Sequence, residues 1–109
     1  MRQRGGKLRG RTRELDVVDL LVDAGWVAYR IAHGPLDVIA FDRLPPPLFV
    51  QVKSTAGGPY ERFTPGARAA LRDAAERANA EAWLCWWPPG RTVPEWIESS
   101  MWPQQREAA

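Results

Sequence analysis

Two short apolar segments, LDVIAFD (36–42) and LFVQVKS (48–54), are joined by RLPPP. Proline fixes φ and removes a backbone donor, so the joint is a stiff reversal and the segments pair as antiparallel strands. Side chains alternate along a strand, which puts Asp37 on a face with Ile39 and Phe41, and Gln51 and Lys53 on a face with Phe49. Antiparallel pairing lays the start of the first strand beside the end of the second. An acid, an amide and a lysine therefore gather at one end of an apolar hairpin, provided the register puts both sets on one side. The sequence leaves that register open. Burying such groups without partners is costly, so the cluster needs a reason. One is structural: an Asp37–Lys53 salt bridge, with Gln51 as an ordinary sheet residue.

The elements around the hairpin restrict the fold. Thr12 is a plausible N-cap for a helix over about 13–24, closed by Gly25. WVAYRIA (26–32) has strand composition, and His33-Gly34-Pro35 turns the chain into the hairpin. Thr64-Pro65 caps a second helix to about Asn79, with Ala67, Leu71, Ala74, Ala75 and Ala78 inward and Arg68, Arg72, Glu76 and Arg77 outward. AWLCWW (82–87) is apolar on both faces, as a central strand would be, and a short strand around 93–97 is possible despite Pro94. The order α-β-β-β-α-β predicts an α/β fold with a mixed sheet flanked by helices. At 109 residues there is room for one core, divided here into an N-terminal arm (1–11), a domain (12–98) and a tail (99–109). Trp96 and Trp102, in the Pro-rich tail region, are candidates for an exposed aromatic patch at a homodimer contact.

A helical wheel at about 100° per residue gathers Leu15, Val17, Val18, Leu21 and Val22 on one arc. Glu14 lies inside that arc, while Asp16, Asp19 and Asp23 lie opposite. Glu14 thus points toward the sheet, unless its place in the first turn, beside the helix N-terminus, is explanation enough. Packed on the hairpin, the helix brings Glu14 to the polar cluster. Two carboxylates and an amide oxygen are hard donors suited to Mg²⁺ or Mn²⁺. Lys53 beside them is a cation able to neutralise charge on a phosphate.

Charge is unevenly spread. Six of the chain's 15 basic residues lie in residues 1–13, which hold no acid; nine remain against all 13 acidic ones. A basic arm on a mildly acidic body suits a polyanion. No apolar run approaches the roughly 20 residues of a membrane span. The N-terminus lacks the apolar segment of a secretory signal, and the single Cys85 forms no internal disulfide, which fits a cytoplasmic setting.

These residues resemble the PD-(D/E)XK nuclease superfamily, and within it the archaeal-type Holliday junction resolvases. The matching pieces are GRTREL with Glu14, GWVAYRIAHGPLDVIA with Arg30 and Asp37, LFVQVKST with Gln51 and Lys53, the helix after RFTPGARAAL, and EAWLCWW. The resemblance covers about residues 7–90 and implies a restriction-endonuclease-like fold. It implies a Mg²⁺- or Mn²⁺-dependent endonuclease cutting four-way DNA junctions as a homodimer. Asp37 would be the central metal ligand, helped by Glu14, Gln51 and the Val52 carbonyl, and Lys53 would be the catalytic lysine. Gln51 departs from the resolvases, which usually carry an acid there; relatives of Mrr-type restriction enzymes are similar in having glutamine. DNA contacts are implied for Lys7, Arg9, Arg11, Arg13, Arg30, Tyr60 and Arg62, and for His33, which is otherwise a plain turn residue. Another nuclease activity of the superfamily, and a DNA-binding module that no longer cuts, are the alternatives.

Overall fold

The computed structural model describes residues 9–104, with side chains from Thr12 onward. Lys7 and most of the expected arm, and the last residues of the tail, lie outside the described residues. Within them, a five-stranded sheet carries one helix on each face.

Helix α1 spans Arg9–Asp23. It begins earlier than expected, and Thr12 is a buried residue inside it rather than its cap. Gly10 costs a helix only about 1 kcal/mol relative to alanine, too little to enforce a start after it. The other end closes as read. Gly25 has φ +100°, its N–H donates to the Val22 carbonyl (3.0 Å), and Trp26 N–H reaches back to the Leu21 carbonyl (2.9 Å). That pair of bonds is a Schellman motif, which needs a residue tolerant of the left-handed region.

Strands β1 (Val27–Arg30), β2 (Val38–Phe41), β3 (Leu48–Lys53), β4 (Glu81–Trp86) and β5 (Glu95–Glu98) lie side by side in chain order. All neighbours are antiparallel except β3 and β4, which are parallel and joined through α2 (Pro65–Arg77). Thr64 Oγ1 accepts the Ala67 N–H and Pro65 opens α2, as the sequence indicated.

The two faces hold separate cores. Under α1 lie Val17, Leu21, Ala28, Val38, Ala40, Val50, Val52, Cys85 and Trp87. Under α2 lie Phe63, Leu71, Ala75, Ala82, Leu84 and Trp102. The sheet is thus buried on both sides through β3 and β4, while β1 and β2 keep Val27, Tyr29 and Phe41 exposed on the face opposite α1.

Two expectations about the second core are corrected. Trp102 is buried, not exposed: a short 3-10 turn (Ser99–Met101) folds the tail back so that its ring meets Phe63 edge-on at 4.9 Å. Its indole N–H donates to the Ile97 carbonyl at 3.0 Å, which satisfies the polar atom of an otherwise apolar side chain. Nor do Arg68 and Arg72 sit outside α2. Arg68 is buried and donates to the Phe63 carbonyl; Arg72 donates to the Ser99 carbonyl (2.9 Å) and covers the Trp102 ring at 5.0 Å. Both arginines bury apolar stems while their guanidinium groups cap backbone carbonyls, an option that wheel patterning does not register.

Trp102 is therefore part of the second core. Trp102→Ala should cost about 3–5 kcal/mol in urea unfolding, the range for deleting a packed aromatic. A change within experimental error would show that the tail does not support the core.

Candidate active site

The hairpin register left open by the sequence sets Val38 opposite Val50. Asp37, one residue before β2, donates its N–H to the Val50 carbonyl (2.8 Å) and receives the Ile31 N–H on its own carbonyl (2.8 Å). Two successive residues, Asp37 and Val38, thus address Val50, the two-against-one arrangement of a β-bulge. Beyond this point β2 supplies no ladder partner to Val52. Asp37 Oδ2 fills that place, accepting the Val52 N–H at 2.8 Å and the Gln51 Nε2–H at 2.7 Å. Side chain substitutes for backbone where the strands part.

Both donors converge on Oδ2, so neither holds Oδ1. The Gln51 amide is oriented by the same contact: a carboxylate oxygen requires a donor, so nitrogen faces Asp37 and Oε1 is left for another partner. Around this pair opens a cleft of about 490 Å³, lined by Glu14, Asp37, Gln51, Val52, Lys53, Thr55, Glu61 and Arg62 among others. Glu14, on α1, is only 18% exposed and pairs with Arg30 Nε at 2.6 Å. Asp37 has its pKa raised from 3.8 to about 6. Burial is the largest cause; the Val52 N–H opposes it, the Glu14 charge adds to it, and the Lys53 and Arg30 charges reduce it.

The far wall is the loop after β3. Trp86 Nε1 donates to the Thr55 carbonyl (3.0 Å), Thr55 Oγ1 to the Gly58 carbonyl, and Gly57 N–H to Glu61 Oε1. A Cβ at Gly57 would collide with Glu61 Oε1, so glycine there permits the Glu61 contact. Thr55 and its neighbours were missed as site residues; the TAGG sequence signals a turn but not which cleft it walls.

The structure brings together Glu14, Asp37, Gln51, Val52, Lys53 and Arg62, with Arg30 attached through Glu14. It does not bring the remainder to the cleft. His33 is exposed in the β1–β2 turn and is not a lining residue. Tyr60 is half-buried in the second core, with Arg68 over its ring at 5.6 Å. Arg13 covers the Trp87 ring at 4.1 Å and lines a different pocket. Lys7 and the side chains of Arg9 and Arg11 lie outside the described residues.

Among the described residues no three His, Cys, Asp or Glu side chains assemble as a metal cluster. The carboxylates of Glu14 and Asp37 and the Gln51 amide oxygen are hard donors at one side of the cleft, while the third carboxylate of the lining, Glu61, is held by the Gly57 N–H. Two carboxylates suffice for Mg²⁺, which keeps several waters and takes further oxygens from a phosphate substrate. An Asp37 carboxylate whose proton affinity is raised by burial and a like charge is also one that a cation would relieve. The donor set fits such an ion. No described helix is long and apolar enough to cross a membrane.

No protein-family model matches the chain, and no curated protein matches it. Among solved structures it is similar to Hjc of Archaeoglobus fulgidus, a Holliday junction resolvase from an archaeal hyperthermophile. The match has a TM-score of 0.75 at 23% identity, over 91% of this chain and 80% of that one. At that identity the likeness establishes the fold, which is the restriction-endonuclease-like α/β fold with a mixed sheet that the resemblance implied.

The raised Asp37 pKa has a stability consequence. Between about pH 4 and pH 6 the folded chain holds a proton that the unfolded chain has released, so stability falls as pH rises through that window. Asp37→Asn keeps an acceptor for both donors and removes the ionisation. Urea unfolding in metal-free buffer should find the variant more stable than the wild type at pH 8 by about 1–3 kcal/mol, and equal to it near pH 4. A less stable variant at pH 8 would refute the assigned cost.

Proposed function

We propose that the chain is a metal-dependent DNA endonuclease that hydrolyses phosphodiesters at branched DNA, of the Holliday junction resolvase type. The observation that carries the reading is the convergence of Asp37, Gln51 and the Val52 N–H at the mouth of one cleft shared with Glu14 and Lys53. The description of the Archaeoglobus protein as a junction resolvase supports it.

In this reading Glu14, Asp37 and Gln51, with the Val52 carbonyl, hold Mg²⁺ or Mn²⁺, which supplies positive charge at the scissile phosphate. The residues of the chain do the remaining work. Asp37 is fixed in place by two hydrogen bonds before any ligand arrives. Lys53 offers its ammonium to charge developing on the phosphate oxygens. Arg62, on the opposite wall, and Arg30, at the edge of the cleft, are donors for flanking phosphates. The resemblance would add phosphate contacts from Lys7, Arg9, Arg11 and Arg13 away from the cleft, and from the exposed His33; Tyr60, packed in the second core, has no such place. We assign the exposed Val27, Tyr29 and Phe41 to a two-fold contact, which would pair two clefts to match the symmetry of a four-way junction. The setting is the cytoplasm.

Gln51 favours a second reading, a nuclease of the same superfamily with duplex or repair substrates; a non-cutting DNA-binding module is the third. Incubation with a four-way junction and with matched duplex, in Mg²⁺ and in EDTA, separates them. Paired nicks confined to the junction and dependent on Mg²⁺ are expected, with Asp37→Asn and Lys53→Ala each losing about a hundredfold or more. Equal cutting of both substrates would favour the second reading, and binding without cleavage the third. Binding should weaken steeply with salt in every case.

A further inference from the structure

Glu14 and Asp37 are like charges at one cleft, and a mostly buried carboxylate without a counter-charge is strongly disfavoured. Arg30, the last residue of β1, supplies the counter-charge, with Nε 2.6 Å from Glu14 Oε1. The contact joins α1 to β1, and Glu14 in it is only 18% exposed. Yet the Arg30 side chain is 32% exposed, and the contact to Glu14 is made through Nε. A guanidinium has further N–H donors in a planar fork suited to phosphate.

A cation entering this cleft meets a carboxylate already taken by another cation. A DNA phosphate meets an arginine already taken by a carboxylate. Each ligand would be favoured once the other had drawn its partner away. We propose that Arg30 is a positioning residue that holds Glu14 at the cleft and competes with a divalent ion for it, so that the ion and a DNA phosphate bind cooperatively. The inference rests on the reading of the cleft as a cation site and names how that site is regulated. Coupling of this kind is reciprocal: the factor by which DNA tightens the ion equals the factor by which the ion tightens DNA.

Calorimetric titration of Ca²⁺ into the full chain, alone and saturated with a four-way junction at one salt concentration, tests it without relying on cleavage. In the wild type, junction DNA should tighten Ca²⁺ about fivefold or more, within the usual span of allosteric coupling. In Arg30→Gln the free protein should already bind Ca²⁺ about that much more tightly, and the DNA effect should vanish. Arg30→Lys keeps the charge and should restore part of the coupling. In a Glu14→Gln background the Arg30→Gln change should raise Ca²⁺ affinity far less than in the wild type, since only the action of the Arg30 charge on Asp37 remains. A purely structural ion pair predicts the opposite sign: Arg30→Gln would weaken Ca²⁺ binding by releasing Glu14. That result, or unchanged affinity with junction cleavage in Mg²⁺ intact in the wild type, overturns the competition and leaves the nuclease reading standing. If the wild type binds no Ca²⁺ with or without DNA and cuts nothing in Mg²⁺, both readings fall.

Discussion

The arrangement of this molecule turns on one hydrogen bond, from the Val52 N–H to the Asp37 carboxylate. A sheet satisfies its backbone by pairing, and β2 stops pairing with β3 at Val50, two residues short of Val52. An unpaired buried N–H is expensive, and most side chains at position 37 would leave it so. A short acid at the bulge reaches across and closes the ladder. The same act fixes the acid at the end of the hairpin that lines the cleft. Structural need and chemical placement are met by one atom, Oδ2.

That solution carries an electrostatic cost, visible in the raised pKa of Asp37. The surroundings limit it without cancelling it. The Val52 N–H and the charges of Lys53 and Arg30 favour the ionised form, while burial and Glu14 disfavour it, and burial prevails. Glu14 could have been left at the helix surface with Asp19 and Asp23, where its charge would act on Asp37 more weakly. Instead the apolar arc of α1 carries it inward, and Arg30 is recruited to hold it there. An assembly that keeps Glu14, Asp37 and Lys53 at one cleft, with Arg30 paired to Glu14, is poorly explained by stability alone.

Much of this was legible in the sequence, and for identifiable reasons. Proline spacing and period-two alternation located the hairpin, the wheel located Glu14, and Thr64-Pro65 and Gly25 marked helix ends through backbone geometry alone. What escaped was decided by tertiary contact. Trp102 looked free because nothing local to it shows that Phe63 and Arg72 will receive it. Arg68 looked exposed because its charge hides a long apolar stem. Thr12 looked like a cap because capping residues also occur inside helices, where only the neighbouring elements distinguish the two. Arg30 was assigned to DNA without sight of Glu14, since a partner sixteen residues away on another element leaves no trace in periodicity.

Gln51 is the residue at which local rule and chemistry meet most sharply. Asp37 Oδ2 is an acceptor facing two donors, one of them the Gln51 amide nitrogen. A carboxylate at 51 would have no hydrogen to give in its ionised form and would set a further negative charge against Oδ2, driving Asp37 toward protonation. The amide avoids both penalties: it donates to Asp37 with nitrogen and keeps an uncharged oxygen for another partner. Oδ2 is thereby met by two donors of the same chain, and these contacts leave Asp37 Oδ1 and Gln51 Oε1 for another partner. The cost falls on charge, because a neutral oxygen attracts a divalent cation less than a third carboxylate would. A site built this way depends more on Glu14 than one with an acid at 51, and so does whatever governs Glu14.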